Sequence, residues 1–440
     1  MSRRPDPAPF EVEIVDLAHD GRGVARVEGK TVFVADALPG ERVTASRVSR
    51  RRSHDEAELV EVLQGSPDRV TPGCPHFGTC GGCSLQHLAP AAQLAAKQDV
   101  LHENLRRIGH VTPEAHWDPI PGPSWGYRRK ARLGVRKVDK KGRVLVGFRE
   151  RRAPLLADMD RCVVLADGVG DMLPAIGELI MGLSIARRVP QVEVAVGDDR
   201  RVFVFRVLDP PSADDLLRLE KFGRDHGVDV WLQPGGNDTA QPLLEGSPPP
   251  HYRLDEFDLE FEFLPTDFIQ VNAAVNELAV ARAVALLSPA ADAPVLDLFC
   301  GLGNFSLALA RTGARVTGVE GDEALVQRAR ANAARNGLQA EFHVANLFED
   351  CRALSWARRA YDGLLLDPPR AGAEAALGLI PALQPQRIVY VSCHPGTLAR
   401  DAGILVHEHG YRLSGAGVMD MFPHTAHVES IALFERKTRS

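Results

Sequence analysis

The sequence predicts an α/β protein. A doubly wound parallel sheet forms its C-terminal part, a small OB-like β-barrel its N-terminal part, and a mixed α+β region lies between them. Three observations carry this. From about Asp267 onward, apolar runs of strand length alternate with helical patterns, the signature of an open sheet with helices on both faces. Before residue 65, short β-type runs are separated by the turn pairs Asp20-Gly21, Glu28-Gly29 and Pro39-Gly40. The intervening stretch mixes strand-like runs, helical runs and a cysteine-rich loop. The 440 residues suit about three domains, drawn at 4–64, 65–265 and 266–440.

The first domain reads as five strands, "FEVEIVDL", "GVARV", "KTVFVADA", "ERVTASRV" and "AELVEVL". Small barrels of this kind often bind oligonucleotides, although a barrel without a ligand would read the same. The cysteine loop begins near Thr71, and a helix is expected from Ala91 to Ile108. An Asp/Leu-rich helix follows near Ala213 to Phe222. In the last domain "APVLDLFCGLGNFSLALARTG" is a buried strand, a glycine loop and a helix stopping at Gly313. A second strand and helix end at Asn336-Gly337, where the residue pair favours a helix stop. The final strand, from Val428-Glu429, is expected to run antiparallel to the others.

Composition is that of a globular protein, 45% hydrophobic and 25% charged, with no apolar run long enough to span a bilayer. The first residues show no secretory pattern, so a cytoplasmic protein with reduced thiols is expected. The net charge of −6 hides clustering. "YRRKARLGVRKVDKKGRVLVGFRERR" (127–152) contains only Asp139 and Glu150 as acids, and "RVSRRR" (47–52) is a second basic run. Such patches, rather than the total, set the field a polyanion meets. Solvated Lys/Arg hairpins are the plainer alternative.

The loop Gly301, Gly303, Asn304, Ser306, with Glu320 at the next strand end, has Ser where a dinucleotide fingerprint has its third Gly. A loop that lets an adenosyl group approach the backbone fits better. "DLFCGLGNF" followed by "GVE" therefore signals S-adenosylmethionine. In open α/β sheets ligands sit outside the carboxyl ends of the strands. Those ends carry Phe299, Asn304, Glu320, Asn346, Asp367 and Cys393, and the reversed last strand brings Glu429 to the same edge. Singly, each has a bland reading: a helix cap for Asn346, a turn for Asp367, a surface carboxylate for Glu429 and buried packing for Cys393. Together they match one chemistry. A thiolate adds to carbon 6 of a pyrimidine, carbon 5 attacks the sulfonium methyl, and a base removes the carbon-5 proton before the thiol is eliminated. That requires a Cys of depressed pKa and a general base.

The motifs "DPPRAG" (367–372), "IVYVSCHPGT" (388–397), "MDMFPHTAHVE" (419–429) and "DFIQVN" (267–272) resemble those of the RNA 5-methyluridine methyltransferases. The resemblance implies a class I, Rossmann-like S-adenosylmethionine-dependent catalytic domain with Cys393 as nucleophile and Glu429 as base. It also implies that Gln270, Phe299, Asn304, Glu320, Asn346 and Asp367 contact the methyl donor or the target uracil. Phe268 is a candidate for stacking on that base. One departure is His394, where the family usually has Asn and sometimes Asp. An imidazole there could help lower the thiol pKa.

Cys74, Cys80 and Cys83 have C-x5-C-x2-C spacing, and Cys162 is the best fourth ligand because Cys300 and Cys393 belong to the catalytic sheet. Four thiolates suit zinc or an iron–sulfur cluster. The arrangement resembles the [4Fe-4S] site of the family's ribosomal RNA members, and the N-terminal barrel resembles a TRAM domain. Barrel, cluster and catalytic domain together imply an enzyme acting on a uracil of 23S ribosomal RNA, because the related transfer-RNA enzyme lacks barrel and cluster; separately, a monomer is expected. Other readings compete with this one. An amino-methyltransferase usually has an aromatic residue where Arg370 stands. A cytosine-5 methyltransferase has a Pro-Cys nucleophile. A non-catalytic iron–sulfur RNA-binding factor, or 5-methyluridine formation at another ribosomal or transfer RNA site, is the remaining possibility.

Overall fold

The computed structural model describes residues 8–437 other than Asp167. The extreme N-terminal residues read above for a leader, residues 4–7 of the expected barrel and residues 438–440 of the expected catalytic part lie outside the described residues.

The barrel is built from β1 (Phe10–Glu13), β2 (Asp16–Leu17), β3 (Gly23–Val27), β4 (Lys30–Ala35), β5 (Arg42–Arg50) and β6 (His54–Gln64), in the order β1-β5-β6-β4-β3-β2. It has one strand more than expected because "FEVEIVDL" breaks in the middle. Ile14 is buried and its N–H donates to the carbonyl of Glu41, and the chain then leaves β5 to pair with β3. Alternate residues of β3, β4 and β5 point inward and close a core of Ile14, Ala25, Val32, Val34, Val43 and Ala45. Buried Glu41 anchors the exit of the barrel. Arg69 Nε donates to its Oε1 at 2.5 Å and a second guanidinium nitrogen to its Oε2 at 2.8 Å. Burial acts to raise this carboxyl, but the Arg69 fork and the Leu38 N–H hold it below the usual carboxylate range.

Helix α1 (Pro90–Arg107) starts on a proline, whose missing N–H costs nothing at a helix N-terminus. Its Leu101 and Leu105 enter the core of the C-terminal sheet, and β7 (Ala115–His116) pairs parallel with that sheet's last-but-one strand. The central sheet comprises β8 (Lys130–Val138), β9 (Arg143–Gly147), β10 (Gln191–Val196), β11 (Arg201–Arg206), β12 (Asp229–Gln233) and β13 (Gln241–Pro242). Its order is β13-β12-β11-β10-β8-β9, and it is packed by α2 (Leu173–Met181) and α3 (Ala213–His226). Helix α3 is set by a Ser212/Asp215 capping box and stopped by left-handed Gly227, so it runs past the expected end at Phe222. A hairpin, β14 (His251–Leu254) and β15 (Leu259–Glu262), follows.

The hairpin β8–β9 carries the long basic run, and much of that charge is neutralised internally. Arg129 pairs with Asp198, Lys130 and Arg132 with Glu193, Lys141 and Arg143 with Asp158, Arg151 with Asp36, and Arg152 with Glu58. Among the described residues, Arg128, Arg136, Lys140 and Arg149 form no ion pair with a carboxylate, and Lys137 acts on Asp139 only through its field. The face offered to a polyanion is therefore narrower than the sequence suggests.

The C-terminal layer contains α4 (Ala273–Leu287), β16 (Pro294–Leu298), α5 (Asn304–Arg311), β17 (Arg315–Glu320), α6 (Glu323–Arg335) and β18 (Ala340–Val344). It continues through β19 (Gly363–Leu366), α7 (Glu374–Leu377), α8 (Ile380–Leu383), β20 (Arg387–Ser392), α9 (Pro395–His407), β21 (Tyr411–Met419) and β22 (Glu429–Arg436). Strand order is β18-β17-β16-β19-β20-β22-β21-β7. The order reverses between β16 and β19, which opens a crevice at their carboxyl ends. Strand β22 runs antiparallel to β20, as its sequence position predicts, with Ser392 opposite Ser430.

Candidate active site and cysteine cavity

Register brings most of the candidate site residues to one sheet edge. Leu298 lies opposite Val319 and Leu366, Leu366 lies opposite Tyr390, and Ser392 lies opposite Ser430. One residue beyond these pairs stand Glu320, Phe299 and Asp367, with Val391 level with Asp367; two residues further along β20, just past the Ser392–Ser430 pair, Cys393 and Glu429 stand on the same edge. The donor side is shaped by backbone. Gly301 (φ +55°) and Gly303 (φ +96°) are left-handed, a region glycine enters without penalty, and Phe299 shares it at φ +66°. Glu320 holds this loop, its Oε2 accepting from Gly301 N at 3.1 Å and its Oε1 from Gly321 N at 2.6 Å. Asn304 opens α5, and its side chain is engaged within the protein. Its Oδ1 accepts from Tyr252 Oη at 2.9 Å, and its amide exchanges hydrogen bonds with Asn276. Asn346 is exposed at the end of β18 and bonds Glu349 and Phe348 N. Gln270 is half-buried in the segment before α4, beside Phe268, which is 71% exposed.

The acid side is crowded. Glu429 is only 4% exposed, and burial reinforced by Asp367 pushes its carboxyl well above the usual range, with Arg370 opposing. Asp367 keeps some surface open, yet loss of bulk water raises its carboxyl to about 7. Half-buried Cys393 is pushed up to about 11, first by burial and then by Glu429 and Asp367, while Arg370 pulls it down. The depressed thiol pKa expected from the sequence is thus absent from the free protein, because two carboxyls share a poorly solvated crevice with it. His394 has a structural task. Its Nδ1 accepts from Thr397 N at 3.2 Å and caps α9, a task Asn performs equally well.

Sequence reasoning gave no site role to two residues here. Arg370 lies in "DPPRAG" and is the cation nearest both Cys393 and Glu429 in effect; its place beside Asp367 was the available signal. His427 approaches Arg370, Nδ1 to the guanidinium at 3.3 Å. Burial and the neighbouring cations lower its pKa, so it stands neutral at pH 7 as an acceptor. No sequence signal marked it beyond its position two residues before Glu429.

The four outlying cysteines also converge. Cys74, Cys80, Cys83 and Cys162 line one cavity of about 240 Å³, with Tyr127, Phe148 and Met159 around them and Thr425 and His427 closing one side. Burial pushes Cys83 up to about 12 and Cys162 up to about 11, and the thiols raise one another further. Backbone amides point at this set, Gly82 N lying 3.4 Å from Cys80 Sγ. Gly170 passes so close behind Cys162 that a Cβ would stand 1.9 Å from its carbonyl oxygen. Among the described residues, no three of these or similar side chains converge on a single ion. Cys300 and Cys351 are buried elsewhere.

A strand order reversing beside a glycine loop, an acidic second strand end and an antiparallel strand β22 inserted between β20 and β21 are the architecture of a class I S-adenosylmethionine-dependent methyltransferase. The family model described as tRNA (Uracil-5-)-methyltransferase matches residues 251–437, and the TRAM domain model matches residues 9–46. The chain is 54% identical over 438 residues to "23S rRNA (uracil(1939)-C(5))-methyltransferase RlmD" of Stenotrophomonas maltophilia (strain K279a), with 99% of each chain covered. It is 53% identical over 436 residues to the protein of the same name from Xanthomonas campestris pv. campestris (strain 8004), with 98% of each covered. Among solved structures, it resembles the Pyrococcus abyssi tRNA (uracil-54, C5)-methyltransferase in complex with S-adenosyl-L-homocysteine. That match has a TM-score of 0.75 and 26% identity, covering 97% of this chain and 100% of that one. The chain belongs to the S-adenosylmethionine-dependent RNA uracil-5-methyltransferases, in their RlmD branch. The Pyrococcus structure corrects one expectation, since a transfer-RNA enzyme there spans the barrel region too. Architecture alone does not separate ribosomal from transfer RNA substrates. Among the described residues, no helix is long and apolar enough to cross a membrane.

Proposed function

We propose that this RNA uracil-5-methyltransferase methylates carbon 5 of uracil 1939 in 23S ribosomal RNA, the target in the names of its full-length relatives, with Cys393 as nucleophile and Glu429 as base. The observation that carries the reading is the neighbouring of these two side chains at one sheet edge, created by the antiparallel insertion of β22. The Cys393 thiolate adds to carbon 6, and carbon 5 takes the methyl group. Glu429 then removes the carbon-5 proton, the electron pair restores the double bond, and the thiolate leaves. Bound S-adenosylmethionine supplies the methyl group and a sulfonium charge. Positive charge entering this crevice favours the ionised forms of Cys393 and Glu429, which suits a site that holds its protons until the substrates arrive. Arg370, steadied by His427, supports the same ionisation from the protein side. Gln270, Phe299, Glu320, Asn346 and Asp367 are read as donor- or uracil-binding residues, and Asn304 as acting through its backbone at the start of α5.

Cys74, Cys80, Cys83 and Cys162 fit a [4Fe-4S] cluster better than zinc. Four thiolates about 2.3 Å from a single zinc must converge on one point, whereas these thiols surround a wider cavity with an amide directed at sulfur. A cluster there would neutralise the mutual repulsion that ionised thiolates otherwise suffer. The remaining unpaired cations of β8–β9 and of residues 50–52 are read as contacts to RNA phosphates. Entry of the uridine into the crevice requires it to leave its stack, and exposed Phe268 is read as the side chain that stacks on the flipped base.

The test is an RNA of the 23S target region carrying 5-fluorouridine. It should form a denaturation-stable adduct with the wild-type protein and methyl donor, and none with Cys393→Ala. Absence of an adduct with this RNA, together with unchanged 23S RNA methylation in cells lacking the protein, would overturn the target assignment.

A further inference from the structure

The segment after Cys83 is hydrogen-bonded to the loop that delivers Glu429. Residues 420–428 link β21 to β22 and are gripped from several sides. From α1, Lys97 Nζ donates to Asp420 Oδ1 at 2.7 Å and to Phe422 O at 2.9 Å. Gln93 Oε1 accepts from His424 N at 2.8 Å, and its Nε2 donates to His424 Nδ1 at 3.2 Å. Tyr127 Oη donates to Pro423 O at 3.1 Å. From the cysteine loop, Ser84 N and Leu85 N both donate to His424 O at 2.9 Å, and Ser84 Oγ accepts from Ala426 N at 3.1 Å. His424 itself has φ +64°, a conformation a non-glycine residue keeps only when its surroundings enforce it.

Ser84 therefore grips the loop nearer to Glu429 than Gln93, Lys97 or Tyr127 does, and it does so from the position next to a cysteine of the cavity. We propose that Ser84 is a positioning residue for the base. With Leu85 it fixes the His424–Ala426 turn and so sets where the Glu429 carboxylate stands against carbon 5 of the target uracil. The proposal rests on the reading of Glu429 as the base.

The consequence is specific to one step. Addition of the Cys393 thiolate to carbon 6 and transfer of the methyl to carbon 5 do not use Glu429. Removal of the carbon-5 proton does, and only then can the carbon 6–sulfur bond break. A displaced base should slow that step and leave a methylated protein–RNA adduct on ordinary uridine RNA.

The experiment uses the full-length protein purified anaerobically, ordinary uridine RNA of the target region and S-adenosylmethionine labelled in its methyl group, with adduct read on a denaturing gel. Ser84→Ala should fall about tenfold in kcat, the scale of a sub-ångström misplacement, with KM for RNA unchanged. It should accumulate labelled adduct as Glu429→Gln does, at undiminished visible cluster absorbance, and Ser84→Thr should restore turnover. A Ser84→Ala protein with wild-type turnover, with a change in KM alone, or without adduct despite lost activity would overturn the proposal while Glu429→Gln still traps. If Glu429→Gln traps nothing, the reading of Glu429 falls and the proposal falls with it.

Discussion

The cavity of four cysteines and the crevice of Cys393 present the same thiol chemistry in two settings. In both, burial pushes the thiols up, Cys162 and Cys393 to the same value of about 11. The neighbours differ. Around Cys162 the nearest ionisable groups are other thiols, so a shared cation can satisfy all of them together. Around Cys393 they are two carboxyls and Arg370, which leaves one half-buried thiol with no second thiol beside it. A raised pKa therefore does not distinguish ligand from nucleophile. The company a thiol keeps, and whether substrate can reach it, does.

The comparison breaks most sharply at its two centres. Cys393→Ala should lose methylation by roughly 10⁴-fold or more, as removal of a covalent nucleophile does, while keeping its visible absorbance. Cys162→Ala should lose that absorbance and its iron, measured by iron content, while a folded sheet keeps Cys393 able to react with a small alkylating reagent. If both variants lost both properties, the two sites would be one cooperative unit rather than two.

The link between the sites can be loaded next. Lys97 and Asp420 form a buried ion pair beneath residues 420–428, and Lys97→Met leaves Asp420 charged and unpartnered. A destabilisation of about 3–5 kcal/mol is expected in chemical denaturation.

A smaller effect concerns pH. The Cys393 thiol is raised, so its reactive thiolate becomes populated as pH rises toward the folded value. Rates of alkylation by a neutral reagent should climb well beyond the pH at which a free cysteine levels off. Glu429→Gln removes a like charge and should move the profile to lower pH, whereas Arg370→Met removes the opposing cation and should move it higher, each by about one unit or less. A profile indifferent to both would contradict the electrostatic account of the crevice. The gentlest test is of the basic hairpin. Arg136→Ala should reduce the salt dependence of RNA affinity by about one phosphate contact, while Arg143→Ala, whose charge is already paired with Asp158, should change it less.

Much of this was readable from the residues. Strand–helix alternation predicted the parallel sheet, because apolar periodicity and turn residues are local properties of the chain; the expected reversal of the last strand, which periodicity does not encode, is seen in β22. The break in "FEVEIVDL" was not readable, since both halves have strand character and only the position of β3 decides where pairing changes. Nor could the sequence show that most cations of residues 127–152 meet carboxylates such as Asp36, Glu58 and Asp198. Those partners are remote along the chain.

For the site the division is similar. Motif spacing by itself determined which residue types stand at which strand ends, and the cysteine pattern nominated Cys162 from far along the chain. Tertiary structure alone decided what surrounds them. It set two carboxyls against Cys393, gave His394 to the cap of α9, put Arg370 and His427 within reach, and brought Ser84 onto the loop carrying Glu429. The physical reason is range: periodicity and capping act over a few residues, whereas desolvation and charge coupling depend on groups that only folding brings close.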